Sequence, residues 1–243
     1  MTITGESAIG RIAASFPSTI SIFQRYKIDY CCGGGKTLHQ SASEIGIDPE
    51  YLIGQLTQAS EQKSVDENQD WLQADLADLI DHILKTHHHY LRQEIPPLSE
   101  MAAKVAAVHG DLFPEKLPLL ETVFSGLVDE ITGHLIKEEQ ILFPIVIQME
   151  KAQNNGQSLF ETYCVSVNNP LRIMIYEHDN AGSALGQIRN LTSDYKPPES
   201  ACNMFRGLYF GLAKLEKDLL QHMHLENNIL FPRVTELEKQ FNR

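Results

Sequence analysis

The chain has 243 residues, is 42% apolar and carries a net charge of −12, enough to build one large core or a small and a medium one. The acid excess argues against a nucleic-acid partner, which needs a basic footprint, and against docking on an anionic membrane. No apolar run reaches the length of a membrane span, the start MTITGESAIG lacks the marks of a secretion signal, and four cysteines do not make a disulfide framework. A cytoplasmic protein with resting thiols is expected.

Residues 1–62 read as a small domain of short helices. ESAIGRIAASF has apolar spacings of three and four, PSTISIFQRY opens on a proline suited to a first turn, and Asp48 is an N-cap ahead of Pro49 and Glu50. Between the second and third helices lies IDYCCGGGKTLHQ, with adjacent Cys31 and Cys32. A phosphate loop would need glycine where Tyr30 stands, and a zinc knuckle would space its cysteines two residues apart. Adjacent cysteines form only a strained, easily reduced disulfide, which suits a redox switch. A helix starting near Thr37 would lower a thiol pKa.

Polar residues 63–70 read as a linker, and from residue 71 to 243 the pattern changes to long amphipathic helices. Leu76, Ile80, Ile83, Leu84 and Leu91 make one face of a first helix, which is expected to be checked at Pro96-Pro97. A second helix is expected over about 115–151, a third after Pro170 and a fourth after YKPPES. Strand signals are almost absent. The expected fold is all-α, a small helical domain followed by a four-helix bundle.

Nine of the ten histidines lie in this second part. HLIKEEQILFP starts at His134 and HMHLENNILFP at His222, 88 residues apart, and both read H-x-x-x-E-x-x-I-L-F-P. His and Glu at i and i+4 share a helix face, which Ile and Leu place near the core. Pro144 and Pro232 are expected to kink or end these helices. Each copy has an inward histidine upstream. His178 fits the stripe Leu171, Met174, Ile175, Ala181, Leu185, Ile188, while His87 and His88 both fit the stripe Ile80, Leu84, Leu91, Ile95, so periodicity does not choose between them. A lone histidine on an apolar face is usually a hydrogen-bonded core residue. Two copies in one frame, each with a matched partner, instead make four imidazoles and two carboxylates. That donor set suits a pair of first-row metals, iron first and manganese next, with the carboxylates bridging. Glu130, Asp218, Glu177 and Asp179 are either ligand-orienting groups or ordinary solvated acids, His82 flanks the site, His89 and His224 lie off the ligand face, and His109 is expected at the surface in the loop VHGDLFP. Cys164 and Cys202 have no partner motif.

DYCCGGG in a short helical domain, followed by HLIKEEQILFP, EHDNAG and HMHLENNILFP, resembles the iron–sulfur cluster repair di-iron proteins, the repair-of-iron-centres family, over nearly the whole chain. The resemblance implies a hemerythrin-like bundle with two non-haem iron ions held by His88, His134, Glu138, His178, His222 and Glu226, the two glutamates bridging. It places the ligand at the second histidine of HHH. It implies a cytoplasmic dimer that restores clusters damaged by nitric oxide or peroxide, with damaged or apo iron–sulfur proteins as partners. Iron supply and the binding or reduction of nitric oxide are both mechanisms proposed for that family. A dioxygen-binding sensor and an acidic helical adaptor are the alternatives from other classes. Cys31 and Cys32 are the expected redox pair beside the iron.

Overall fold

Short apolar repeats closed by caps build the first four helices of the computed structural model, which describes residues 1–61, 70–156 and 166–241. They are α1 (Ile9–Ser15), α2 (Ile20–Tyr26), α3 (Leu38–Glu44) and α4 (Pro49–Ser60). Asp48 caps α4 by accepting from the Glu50 amide, and Thr37 and Gln40 form a capping box on α3. Their apolar faces meet around Ile12, Phe23, Tyr30, Leu38 and Leu52. All but Asp70 of the expected linker, and Cys164, lie outside the described residues.

The bundle consists of four rods. The first runs α5 (Leu76–Ile83), a wide π-helical turn (Leu84–His88) and α6 (His89–His109). The second runs α7 (Leu117–Lys137), a π turn (Glu138–Leu142) and α8 (Phe143–Asn154). The third is the uninterrupted α9 (Asn168–Leu191). The fourth runs α10 (Asn203–Leu225), a π turn (Glu226–Leu230) and α11 (Phe231–Phe241). Among the described residues there is no strand, only one isolated bridge between Ala8 and Thr37.

Two expectations about proline are corrected. The first rod is not checked at Pro96-Pro97, which lie inside α6. Both prolines are exposed, as are Arg92 and Gln93, whose carbonyls lose their α-helical donors, so water can satisfy those carbonyls. Pro144 and Pro232 do not end their rods, which continue as α8 and α11. Each is the second residue after a π turn, so the wide turn falls where proline has already removed a ladder bond. Two side chains also leave their expected faces, since Ile175 and Ile141 are 42% and 52% exposed.

Apolar layers lie on either side of the π turns. One contains Leu91, Leu98, Phe124, Leu127, Leu185 and Leu212, the other Leu79, Ile83, Phe143, Val146, Leu171 and Leu230. Burying each such side chain contributes roughly 1.5–3 kcal/mol. The polar residues of the repeat are held between these dry layers.

The cysteine loop docks on the second repeat. Asn228 donates to the carbonyls of Tyr30 and Cys31 at 3.0 and 3.3 Å. Tyr30 stacks on Phe23 and leans on His224. A Cβ on Gly34 would sit 2.4 Å from Asn228 Oδ1 and 2.9 Å from the Tyr30 carbonyl, whereas one on Gly35 would meet nothing within 4 Å. Gly34→Ala is therefore expected to cost about 1–3 kcal/mol in denaturant unfolding, and Gly35→Ala to be close to neutral. Equal effects of the two would remove this account of the loop.

Candidate metal centre

The structure brings together all six residues that the repeat and the family resemblance single out. His88 ends the first π turn, His134 and His222 sit in the last turns of α7 and α10, Glu138 and Glu226 open their π turns, and His178 is in mid-α9. All six are buried, and His88, Glu138 and Glu226 are fully so. They form two clusters that share both glutamates, His88–Glu138–His222–Glu226 and His134–Glu138–His178–Glu226.

Each carboxylate divides its oxygens between the clusters. Glu138 turns Oε1 to His134 Nε2 at 3.2 Å and Oε2 to His88 Nε2 at 3.4 Å. Glu226 turns Oε1 to His222 Nε2 at 3.2 Å and Oε2 to His178 Nε2 at 3.1 Å. The four oxygens nevertheless make no hydrogen bond, although no water reaches them. The Nε2 atoms of His134 and His178 lie 3.0 Å apart, and those of His88 and His222 3.3 Å apart.

The outer nitrogens explain this. His88 Nδ1 is 2.7 Å from Glu139, His134 Nδ1 2.9 Å from Glu177, and His178 Nδ1 2.8 Å from Asn227 Oδ1. Those oxygens only accept, so the ring proton resides on Nδ1 and the Nε2 lone pair points inward. Converging lone pairs and orphaned carboxylates are costly in a dry layer unless cations sit among them. The donor set fits two metal ions, one per cluster, bridged by Glu138 and Glu226.

Without metal, the carboxylates draw a proton to His134 in its place. Burial opposes charge on His134, but Glu138 and then Glu226 push its pKa up to about 9. Burial likewise opposes Glu226, yet His222 and His178 hold it well below the usual carboxylate range. Burial pushes His222 down, outweighing the opposing pull of Glu226 and Glu138.

The residues that orient the ligands are partly unexpected. Glu177 was anticipated; Glu139 and Asn227 were not. Both directly follow a bridging glutamate, in EEQ and ENN, and each holds the upstream lone histidine, His88 or His178. Aligning the repeats one position further gives the signal. Arg92 donates to both oxygens of Glu139 at 2.8 Å, and Lys137 pairs with Glu177. Asp218 binds His87 Nδ1 at 2.9 Å, and the His87 ring stacks on ligand-side His222 at 5.5 Å. His87 is thus a packing partner, and His88 faces the site. His82 lies against Trp71 and His87, His89 is exposed, and Asp179 lines a cavity at the seam with the N-terminal helices. His109 lies 3.4 Å from Cys202 at the opposite end of α6, and His224 is buried against Tyr30, where burial pushes its pKa down to about 4. Replacing Glu139 with alanine should weaken metal binding about 10–100-fold, as read by competition with a chelator; an unchanged affinity would deny it this role.

A cavity of about 20 Å³, bordered by His134, His222, Ile131, Ala181 and Met223, adjoins the clusters. It has room for about one water-sized molecule. On the other side of His178, Cys32 Sγ is 3.5 Å from the His178 carbonyl oxygen, and Asn227 donates to the Cys31 carbonyl at 3.4 Å. The Cys31 thiol is not activated. Its hydrogen bond with Cys32 and its burial push its pKa well up, against the expectation that α3 would lower it.

Fold and site together define a hemerythrin-type cation-binding bundle. The family described as Hemerythrin HHE cation binding domain matches residues 79–234, and ScdA_N, a Domain of Unknown function (DUF542), matches residues 5–60. The chain is 37% identical over 228 residues to the iron-sulfur cluster repair protein YtfE of Yersinia pseudotuberculosis serotype O:1b, covering 94% of this chain and 96% of that protein. The proteins of the same name from Salmonella schwarzengrund and Dickeya chrysanthemi are 36% identical over the same shares. The chain belongs to this family of iron–sulfur cluster repair proteins. No helix among the described residues is long and apolar enough to cross a membrane.

Proposed function

We propose that this protein repairs iron–sulfur clusters damaged by nitrosative or oxidative stress by supplying iron from a carboxylate-bridged pair of iron ions. The ligands are His88, His134, Glu138, His178, His222 and Glu226. The observation that carries this reading is the division of each glutamate's unpartnered oxygens between two histidine pairs. Mixed nitrogen and oxygen donors suit a first-row metal such as iron. Bound iron would be both redox-active and exchangeable.

The chain's own groups govern that exchange. Nδ1 acceptors hold His88, His134 and His178 with Nε2 turned inward, and any proton taken up at Nε2 competes with metal, so affinity falls with acid. In this reading residues 1–62 present Cys31 and Cys32 as the redox pair, 63–70 link, and 71–243 hold the iron. The reading includes a cytoplasmic homodimer whose clients are damaged or apo iron–sulfur proteins, the clients being in keeping with the relatives' name. The test is to add iron-loaded protein to an apo iron–sulfur enzyme. Activity should return faster than with the same amount of free ferrous iron, and equal rates would reject the proposal.

The small cavity beside His134 and His222 favours a second reading, binding or reduction of nitric oxide, since it admits a molecule of about that size. Turnover of nitric oxide well above the rate of iron loss would support it. Unchanged spectra on adding nitric oxide to the reduced protein would exclude it, and would exclude dioxygen-type sensing if dioxygen is equally silent.

A further inference from the structure

The cysteine loop holds a second convergence of donor atoms that the bundle does not use. Asp29, Cys31 and Cys32 each offer an atom within 4.8 Å of the others'. The Cys31 and Cys32 sulfurs are 3.8 Å apart, and Cys31 Sγ is 3.2 Å from Asp29 Oδ1. Two thiolates at ~2.3 Å from a tetrahedral metal lie about 3.8 Å apart. The adjacent cysteines therefore already stand at the edge length of such a site.

The backbone holds this arrangement. The Cys32 amide donates to Asp29 Oδ1 at 3.0 Å, which folds the carboxylate back over the sulfurs. A Cβ on Gly33 would meet the Asp29 carbonyl at 2.7 Å and Oδ2 at 3.1 Å, so the first glycine of CCGGG is what admits the carboxylate. The remaining direction faces a cavity of about 560 Å³. Lys27, Arg189 and Lys217 line that cavity. Asp179 and Glu216 line it as well, with Arg189 paired to Glu216 and Lys27 to Asp194.

We infer that Asp29, Cys31 and Cys32 form a separate site for one borderline-soft divalent cation, such as ferrous iron, at the seam between the N-terminal helices and the bundle. Binding forms two metal–sulfur bonds and sends both thiol protons to solvent, with no change of oxidation state. The fourth position stays open to the cavity, where a donor from an acceptor protein can enter. Contact of Cys32 with the His178 carbonyl, and of Asn227 with both His178 and the Cys31 carbonyl, puts the site next to the paired centre. Its use as a hand-off point rests on the iron-supply reading, whereas cation binding itself does not.

The probe is cobalt(II), titrated into the reduced, iron-loaded protein. A sulfur-to-cobalt charge-transfer band is expected to saturate at one cobalt per chain. Cobalt entering the bundle gives no such band, because nitrogen and oxygen are the only donors there. Cys32→Ser, at a half-exposed position, should abolish the band. Asp29→Asn, which keeps the acceptor for the Cys32 amide, should weaken binding at least tenfold. Absence of the band in the wild type overturns the inference. So does a band that survives when Cys31→Ser and Cys32→Ser are combined, which would place it at Cys164 or Cys202. A band that saturates as expected while iron delivery fails supports this site and counts against the iron-supply reading.

Discussion

Glu138→Ala is expected to abolish the paired metal centre, lowering bound metal from two ions per chain to one or fewer and removing any magnetic coupling. Glu138 is fully buried and, among the described residues, only it and Glu226 belong to both histidine clusters. Without it each cluster loses an oxygen donor, and the proposed pair of ions would lose one of its two shared ligands. The loss should exceed the ~10–100-fold seen on removing an outer partner of a ligand. Glu138→Gln keeps the volume, so it should lose pairing with less damage to the fold. A readout without metal is the titration of His134. Its pKa stands at about 9 because Glu138 and Glu226 overcome burial, and Glu138 leads. In the metal-free Glu138→Ala protein that pKa should fall clearly, as followed by NMR. A coupled spectrum persisting in Glu138→Ala, or in Glu226→Ala, would overturn the ligand set.

Chelation gives the second large effect. A ligand that binds only the folded state at a thousand times its dissociation constant stabilises by about 4 kcal/mol. In a domain of this size each kcal/mol moves the melting temperature by roughly 2–4 °C. Removing metal at neutral pH should thus lower melting by about 10 °C. The gap should also widen with pH. His134 is raised in the folded, metal-free protein from an ordinary 6.5 to about 9. Its contribution to stability is fully present below pH 6.5 and is lost as pH rises through about 9. In the loaded protein the same nitrogen holds metal instead of a proton, so that loss is absent. Calorimetry of loaded and chelated protein at several pH values checks this. Parallel curves between pH 7 and 9 would show that His134 does not face the carboxylates in solution.

The repeat made the centre legible because helices convert spacing into direction. His and Glu four apart must share a face, and two copies in one frame must supply matching halves. The choice of His88 over His87 was not legible from periodicity, because a π turn ending at His88 changes the local angle and no proline marks it. Proline was misread for a related reason. Its effect on a helix depends on whether the freed carbonyl meets water, as at Arg92 and Gln93, or falls beside a widened turn, as at Pro144 and Pro232.

By itself the sequence determined the all-α class, the two-part order of the chain and five of the six residues that converge, since each follows from composition or from separations along one helix, whereas His88 in place of His87 came from the family resemblance. Tertiary structure alone decided which oxygen faces which histidine, that Glu139 and Asn227 fix the ring protons, and that DYCCGGG lies against His178. Between separate elements, those relations join residues about 50 to 146 positions apart. Only packing sets such distances, because no local rule fixes where two separate helices place the ends of their side chains.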